Sequence, residues 1–149
     1  MDSQSIYILA RSADTQKIIG KGKEIYDEIP EKSELVKEVK RKMMFPFGKS
    51  KVNLEDTGWQ DFFETKGSIE SAEINIRDIQ NFLEKAGKET SDVLSLLNKG
   101  PIDIVIMDNN SKVVQIFYTN CLLKWKDYKA VNGIMYFSRM DFYAMERRE

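Results

Sequence analysis

The stretch from Gly100 to Met145 constrains this chain more than any other. Branched and aromatic runs alternate there with turn residues. Ile102-Asp103-Ile104-Val105-Ile106-Met107 is followed by Asp108-Asn109-Asn110-Ser111, and Val113 to Cys121 by Leu122-Leu123 and Trp125. After Val131-Asn132-Gly133 comes a last run, Ile134-Met135-Tyr136-Phe137 through Phe142-Tyr143 to Met145. Branched Cβ atoms and flat rings fit a pleated surface better than a helix. Asx and Gly residues accept the positive φ angles that tight antiparallel connections need. The stretch reads as an antiparallel meander that closes on a strand.

Upstream, Ile6-Tyr7-Ile8-Leu9-Ala10 is a short apolar run and a first strand. A turn at Ser12-Ala13-Asp14 returns the chain through Lys17 to Ile25 as its hairpin partner. Gly20-Lys21-Gly22 lacks the Gly-x-x-x-x-Gly-Lys-Ser/Thr spacing of a phosphate loop and reads as a bulged or closely packed strand. Pro30 permits a helix start, and Leu35, Val36, Val39 and Met43 share one helical face. Lys37, Glu38, Arg41 and Lys42 fall opposite, as a solvated face. Phe45-Pro46-Phe47-Gly48 breaks any continuous element, and residues 30–66 also suit an extended loop that orders on assembly.

Gly67 to Arg77 alternates again, with a slip near Ser71-Ala72 that suits a bulge. Asp78 reads as the N-cap of a principal helix at about residues 78–98, striped by Ile79, Phe82, Leu83 and Ala86. Gly87 interrupts it, and Thr90-Ser91-Asp92 restarts a turn that Asn98-Lys99-Gly100 ends, so one helix or two stays open. The expected architecture is a single α+β domain over residues 1–149. Its mostly antiparallel sheets close into a small barrel or sandwich with that one principal helix and room for a second at about 31–44.

Composition narrows the chemistry. With 42% hydrophobic and 32% charged residues in 149, the chain can bury one proper core. Its net charge of −1 makes no electrostatic case for sequence-specific nucleic-acid binding. There is no histidine, which removes the commonest general base and metal ligand. Cys121, the one cysteine, sits in an apolar Cys-Leu-Leu run and reads as a buried structural thiol. Asp103, Asp108, Asp127 and Asp141 stand singly, at intervals that suit strand ends and outward faces, with no calcium-loop spacing. No catalytic residue, cofactor or metal is expected, and the chain is not expected to be an enzyme, although carboxylate-only hydrolases exist. Its apolar runs are far shorter than the roughly 20 residues a membrane helix needs. The acidic start Met-Asp-Ser-Gln-Ser is unlike a signal peptide, so synthesis in the cytoplasm with no membrane partner is expected.

The order of these pieces resembles a known family. The Gly67-Ser-Ile-Glu-Ser-Ala-Glu-Ile-Asn-Ile76 strand leads to the helix from Ile79 to Leu97, the Lys99-Gly100 break and the Asp108 to Lys112 turn. Tyr118-Thr119-Asn120-Cys121 then precedes Trp125, and Met135 to Tyr143 closes the set. This succession resembles the tail tube proteins of contractile phages and phage-like particles, and the related haemolysin-coregulated protein of type VI secretion. The likeness is one of element order and residue class, and the first 66 residues match less well. That departure leaves room for a baseplate tube-initiator or tail-terminator role.

The resemblance implies a structural protein, made in the bacterial host cytoplasm and assembled into a virion tail or phage-like particle. Its partners would be further copies, in hexameric stacking rings joined through sheet edges, and other tail or baseplate proteins. Tyr118, Asn120, Trp125, Tyr136, Phe137, Phe142 and Tyr143 are the candidate assembly residues. Strand alternation puts Tyr136 and Phe142 on one face of the last strand and Phe137 and Tyr143 on the other. A second reading is a small α+β binding module with an aromatic groove lined by Trp59, Phe62 and Trp125.

Overall fold

Strand β8, Ile134–Arg148, is 15 residues long and pairs with three other strands. The computed structural model describes residues 4–12, 15–28, 63–85, 87 and 93–149. In chain order these form β1 (Gln4–Arg11), β2 (Gln16–Gly22), β3 (Glu24–Glu28), β4 (Thr65–Asn75), helix α1 (Ile76–Lys85) and helix α2 (Val93–Lys99). β5 (Ile102–Asp108), β6 (Val114–Lys124), β7 (Lys129–Val131) and β8 complete the chain. Neighbours run β4-β2-β1-β5-β6-β8, and β8 returns to β4, so six antiparallel strands close into a barrel. β3 and β7 are extra strands. β3 continues β2 along one edge of β4, and β7 shares an edge of β8 with β6. The fold is mostly β, and its helices serve as a cap.

Branched side chains turned inward fill the barrel. Ile8, Ile69, Ile74, Ile104, Phe137 and Phe142 belong to one buried cluster with Ile79, Phe82 and Leu83 of α1 and Leu96 and Leu97 of α2. Since α1 leaves the end of β4 and α2 precedes the start of β5, both helices cover the same end of the barrel. The expected N-cap is corrected here. Asn75 is the cap, its Oδ1 accepting the Asp78 N–H at 3.1 Å, while Asp78 stands in the first turn facing the positive end of the helix dipole. Gly87, at φ +74°, donates its N–H to the Glu84 carbonyl just past the end of α1. The helix expected over 78–98 is therefore split, and the one suggested at 31–44 lies outside the described residues.

A strand wrapped around so narrow a barrel does not keep one parity inward along its whole length. In β8, Met135 and Phe137 are buried, then Met140, Phe142 and Ala144, so the inward parity changes between Phe137 and Met140. At that rung β4 has Ser71 at φ +54°, with Ile69 and Ile74 both buried on either side of it. The pairing nevertheless keeps its register, Glu70 with Arg139 and Ala72 with Phe137. Both strands turn over together, a paired kink where a one-residue bulge had been expected. The same device recurs opposite Asn120, at φ +51°, between the pairs Cys121–Ala144 and Tyr118–Arg147. Each non-glycine residue in this left-handed region costs about 1 kcal/mol, least for Asn.

These kinks overturn the expected faces of the last strand. Phe137 and Phe142 both point inward, while Tyr136 lies on the outer surface. Glycine makes the close approaches elsewhere. A Cβ on Gly20 would overlap the Glu73 carbonyl oxygen, and one on Gly67 would lie 2.6 Å from the Phe142 ring. Gly20-Lys21-Gly22 is thus a closely packed strand, as its spacing suggested.

The kink at Asn120 is held by a buried carboxylate. Asp103 is fully buried although it points away from the barrel interior. Its Oδ1 accepts the Asn120 N–H at 3.1 Å and its Oδ2 accepts Gln16 Nε2 at 2.9 Å. Arg11 Nε stands 3.0 Å from Oδ2, and the same guanidinium donates to the Asn120 side chain. Asp103→Ala strips two donors of their acceptor and leaves Arg11 without its ion-pair partner, and is expected to cost about 3 kcal/mol. Asn120→Gly keeps the N–H and tolerates the positive φ, and is expected to cost under about 1 kcal/mol. Urea unfolding compares them through the shift in midpoint at constant slope. Equal losses in the two variants would show that the carboxylate does not hold the kink.

Candidate functional site

The seven residues singled out from sequence divide between core and surface. Tyr118, Phe137 and Phe142 are 1%, 1% and 0% exposed, and are core residues unable to meet a neighbour. Tyr118 meets the Phe142 ring edge-on at 5.0 Å. Their aromatic character reflects packing, and the paired kinks bring them inside. Trp125 is half-buried and packs edge-on against Phe137 at 5.5 Å. Asn120 is exposed but serves the kink. Tyr143 is half-buried, with its ring 6.0 Å from Phe63 and beneath Lys124 Nζ at 5.9 Å. Tyr136, 40% exposed, presents the most surface among the six aromatic residues of the set. Trp59 and Phe62 lie outside the described residues.

Sequence reasoning missed a polar node between β3, β6 and β8. The Tyr118 hydroxyl donates to Asp27 Oδ2 at 2.5 Å, and Arg147 Nε donates to the same oxygen at 2.9 Å. Arg147 also reaches Glu149, and its guanidinium stands 6.0 Å from the centre of the Tyr118 ring. Burial, and then the hydrogen bond to Asp27, push the Tyr118 phenol well above the usual tyrosine range. The hydrogen bond to Glu149 leads the causes that raise Arg147. A signal existed in Glu24-Ile25-Tyr26-Asp27-Glu28, where Asp27 shares the parity of the core-facing Ile25. Cys121 is a free buried thiol, raised first by burial and then by the nearby Asp103 charge, which agrees with a structural role.

Because the fold favours the neutral phenol, Tyr118 contributes stability that is fully present below the ordinary tyrosine pKa near 10. That stability is lost as pH rises through the raised folded value. An ultraviolet difference titration of wild type against Tyr118→Phe is expected to place the missing step well above the ordinary range. A missing step at the ordinary position would refute the node.

Among the described residues two sheet edges are open: β3 has β4 as its one ladder neighbour and β7 has β8. β3 pairs with Lys66–Glu70 of β4, whereas β7 pairs with Ile134–Tyr136 of β8, which face Asn75–Glu73. The two edges thus sit at diagonally opposite corners of the β3-β4-β8-β7 surface. Their charges differ in sign. β3 carries Glu24, Asp27 and Glu28 and no base, while Lys124, Lys126 and Lys129 around β7 outnumber Asp127. Tyr26 is 57% and Val131 53% exposed, so each edge also offers apolar surface.

The paired kink at Ser71 and Ser138 hollows the outer face beside β7. A cavity of about 490 Å³ opens there, lined by Glu73, Asp127, Tyr128, Lys129, Tyr136 and Ser138. Tyr128 lies 5.6 Å from Phe137, at the floor. A second hollow of about 340 Å³ lies beside β3, between Tyr26, Glu28, Lys66, Arg139, Asp141 and Tyr143. Its charges are matched in ion pairs, Lys66 to Glu28 at 3.0 Å and Arg139 to Asp141 at 3.0 Å. Among the described residues no three potential metal ligands converge, and no helix is long and apolar enough to cross a membrane. No protein-family model, curated protein or solved structure matched the chain.

Proposed function

We propose that this chain is a structural component of a phage or phage-like tail tube or baseplate, self-assembling into rings through its sheet edges and performing no catalysis. The observation that carries the reading is the pair of open edges at opposite corners of an otherwise closed barrel. A closed barrel has no edges of its own, so among the described residues β3 and β7 are the places where another strand can add. Unpaired N–H and C=O groups on such strands favour a partner whose backbone completes the ladder. The order of strand, helix and closing meander, which resembles the tube family, supports the same role. On this reading the barrel and its helical cap act as one α+β unit, with further copies and other tail proteins as partners in the virion.

Solution mass and negative-stain images at several concentrations test it. Rings or stacked tubes are expected, with mass rising in whole-ring steps. A monomer at every concentration, with no ordered particles, would overturn self-assembly by the chain alone.

The hollow beside β7 favours a second reading, a small binding module that holds a ligand against Tyr128 and Tyr136. Trp125 packs on Phe137 directly behind this floor, so its emission would report occupancy. In a Trp59→Phe variant, lipids, nucleotides or single-stranded DNA would quench Trp125 fluorescence in a saturable way. A flat response to all three would sink this reading.

A further inference from the structure

We infer that the acidic β3 edge of one copy docks head to tail against the basic β7 edge of the next. This partner assignment rests on the self-assembly reading above. The two edges are chemically different, and that difference decides how copies can meet. Pairing β3 antiparallel with β3 would set Glu24 of each copy against Glu28 of the other, and like charges on facing strands are destabilising. Pairing β7 with β7 would crowd Lys126 and Lys129 of two copies along a shared edge only three residues long. Pairing β3 with β7 brings opposite signs together.

The local surroundings agree with this choice. Lys126 and Lys129 have no ion-pair partner among the described residues, so their charges are available to a neighbour. Glu24 and Glu28 are exposed, engaged by the Tyr26 hydroxyl at 2.6 Å and by Lys66 at 3.0 Å. Exposed Tyr26 stands among acids, and Glu24 and then Glu70 raise its phenol, a sign of negative potential along this edge. Each edge also carries an exposed apolar group. Tyr26 projects from β3, while Tyr128, Val131 and Tyr136 surround β7 beside a hollow large enough for a phenol ring. An aromatic side chain seated in a neighbouring pocket is the usual anchor of such an interface, with charged pairs at its rim setting orientation.

Geometry then dictates the outcome. A head-to-tail contact uses one surface on each copy and leaves the other free, so it propagates, and it closes into a ring when the rotation per copy allows. Because β3 and β7 occupy opposite corners, the two contacts fall on separate parts of one copy's surface.

Charge exchange in the full-length chain tests the assignment. Glu24→Lys with Glu28→Lys makes both edges basic, and Lys126→Glu with Lys129→Glu makes both acidic. Each variant alone is expected to need at least about tenfold more protein for half-assembly than wild type, in line with the effect of juxtaposed like charges. An equimolar mixture of the two is expected to restore assembly, because each edge then meets its opposite on the other variant. Restoration also proves that both variants are folded. Wild-type-like assembly of each variant by itself, or loss that mixing does not repair, would overturn the β3–β7 assignment while leaving self-assembly intact. A wild type that stays monomeric throughout removes the self-assembly reading, and the edge pairing with it.

Discussion

The ladder between β4 and β8 is the constraint on which the rest of the molecule depends. It runs from Thr65 against Ala144 to Asn75 against Ile134 and turns an open sheet into a barrel. Sequence distance makes this pairing non-local, so its contacts must offset a large loop-closure entropy. Closure then imposes a geometric demand. Strands this long, bent around a small core, must change which side chains face inward. The molecule meets the demand at Ser71 and Asn120, where a left-handed residue reverses the parity of its own strand and of β8 together. Register with β8 is held through both reversals, while the β5–β6 pairing takes up the Asn120 reversal as a shift between Ile102 and Ile104.

Buried polar groups stabilise the bent strands where apolar contacts alone would leave backbone donors unmet. Asp103 satisfies the Asn120 amide and ties β1, β2, β5 and β6 through Arg11 and Gln16. Asp27 does the equivalent at the β3 side, joining the Tyr118 hydroxyl to Arg147. Both carboxylates accept from donors on other strands, the condition under which the fully buried Asp103 charge is tolerated, while Asp27 stays partly open to solvent. The two nodes therefore specify which strands lie together, while the branched side chains of the interior supply most of the burial energy.

The surface is divided by the same closure. Six strands consume their edges in the barrel, and among the described residues the two that remain outside, β3 and β7, keep one edge each at opposite corners. Acids on one and lysines around the other give the molecule a direction. A direction of this kind suits copies that add head to tail better than a symmetric pair, which links the fold to the assembling role proposed for it.

Much of this was legible in the residues themselves. Local chemistry determined the strands and their turns. Asn132-Gly133 takes positive φ at both positions, the Asp108 side chain caps its own turn through the Asn110 amide, and the Gly-Lys-Gly run packs as a strand. The buried Cys121 followed from its apolar neighbours in the same way. Residues Tyr118, Phe137 and Phe142 were recognisable as important aromatics, but their faces were not, because alternation assumes that a strand keeps one parity. Only the tertiary structure decided where that parity breaks, since the break occurs at the rung where two distant strands share a bend. It also decided that Asp103 is buried and that Asp27 meets Tyr118 and Arg147, contacts between residues 17 to 120 positions apart. Turns and periodicity are written within a few neighbouring residues, whereas barrel closure, open edges and buried carboxylate partners arise from pairings that no local pattern encodes.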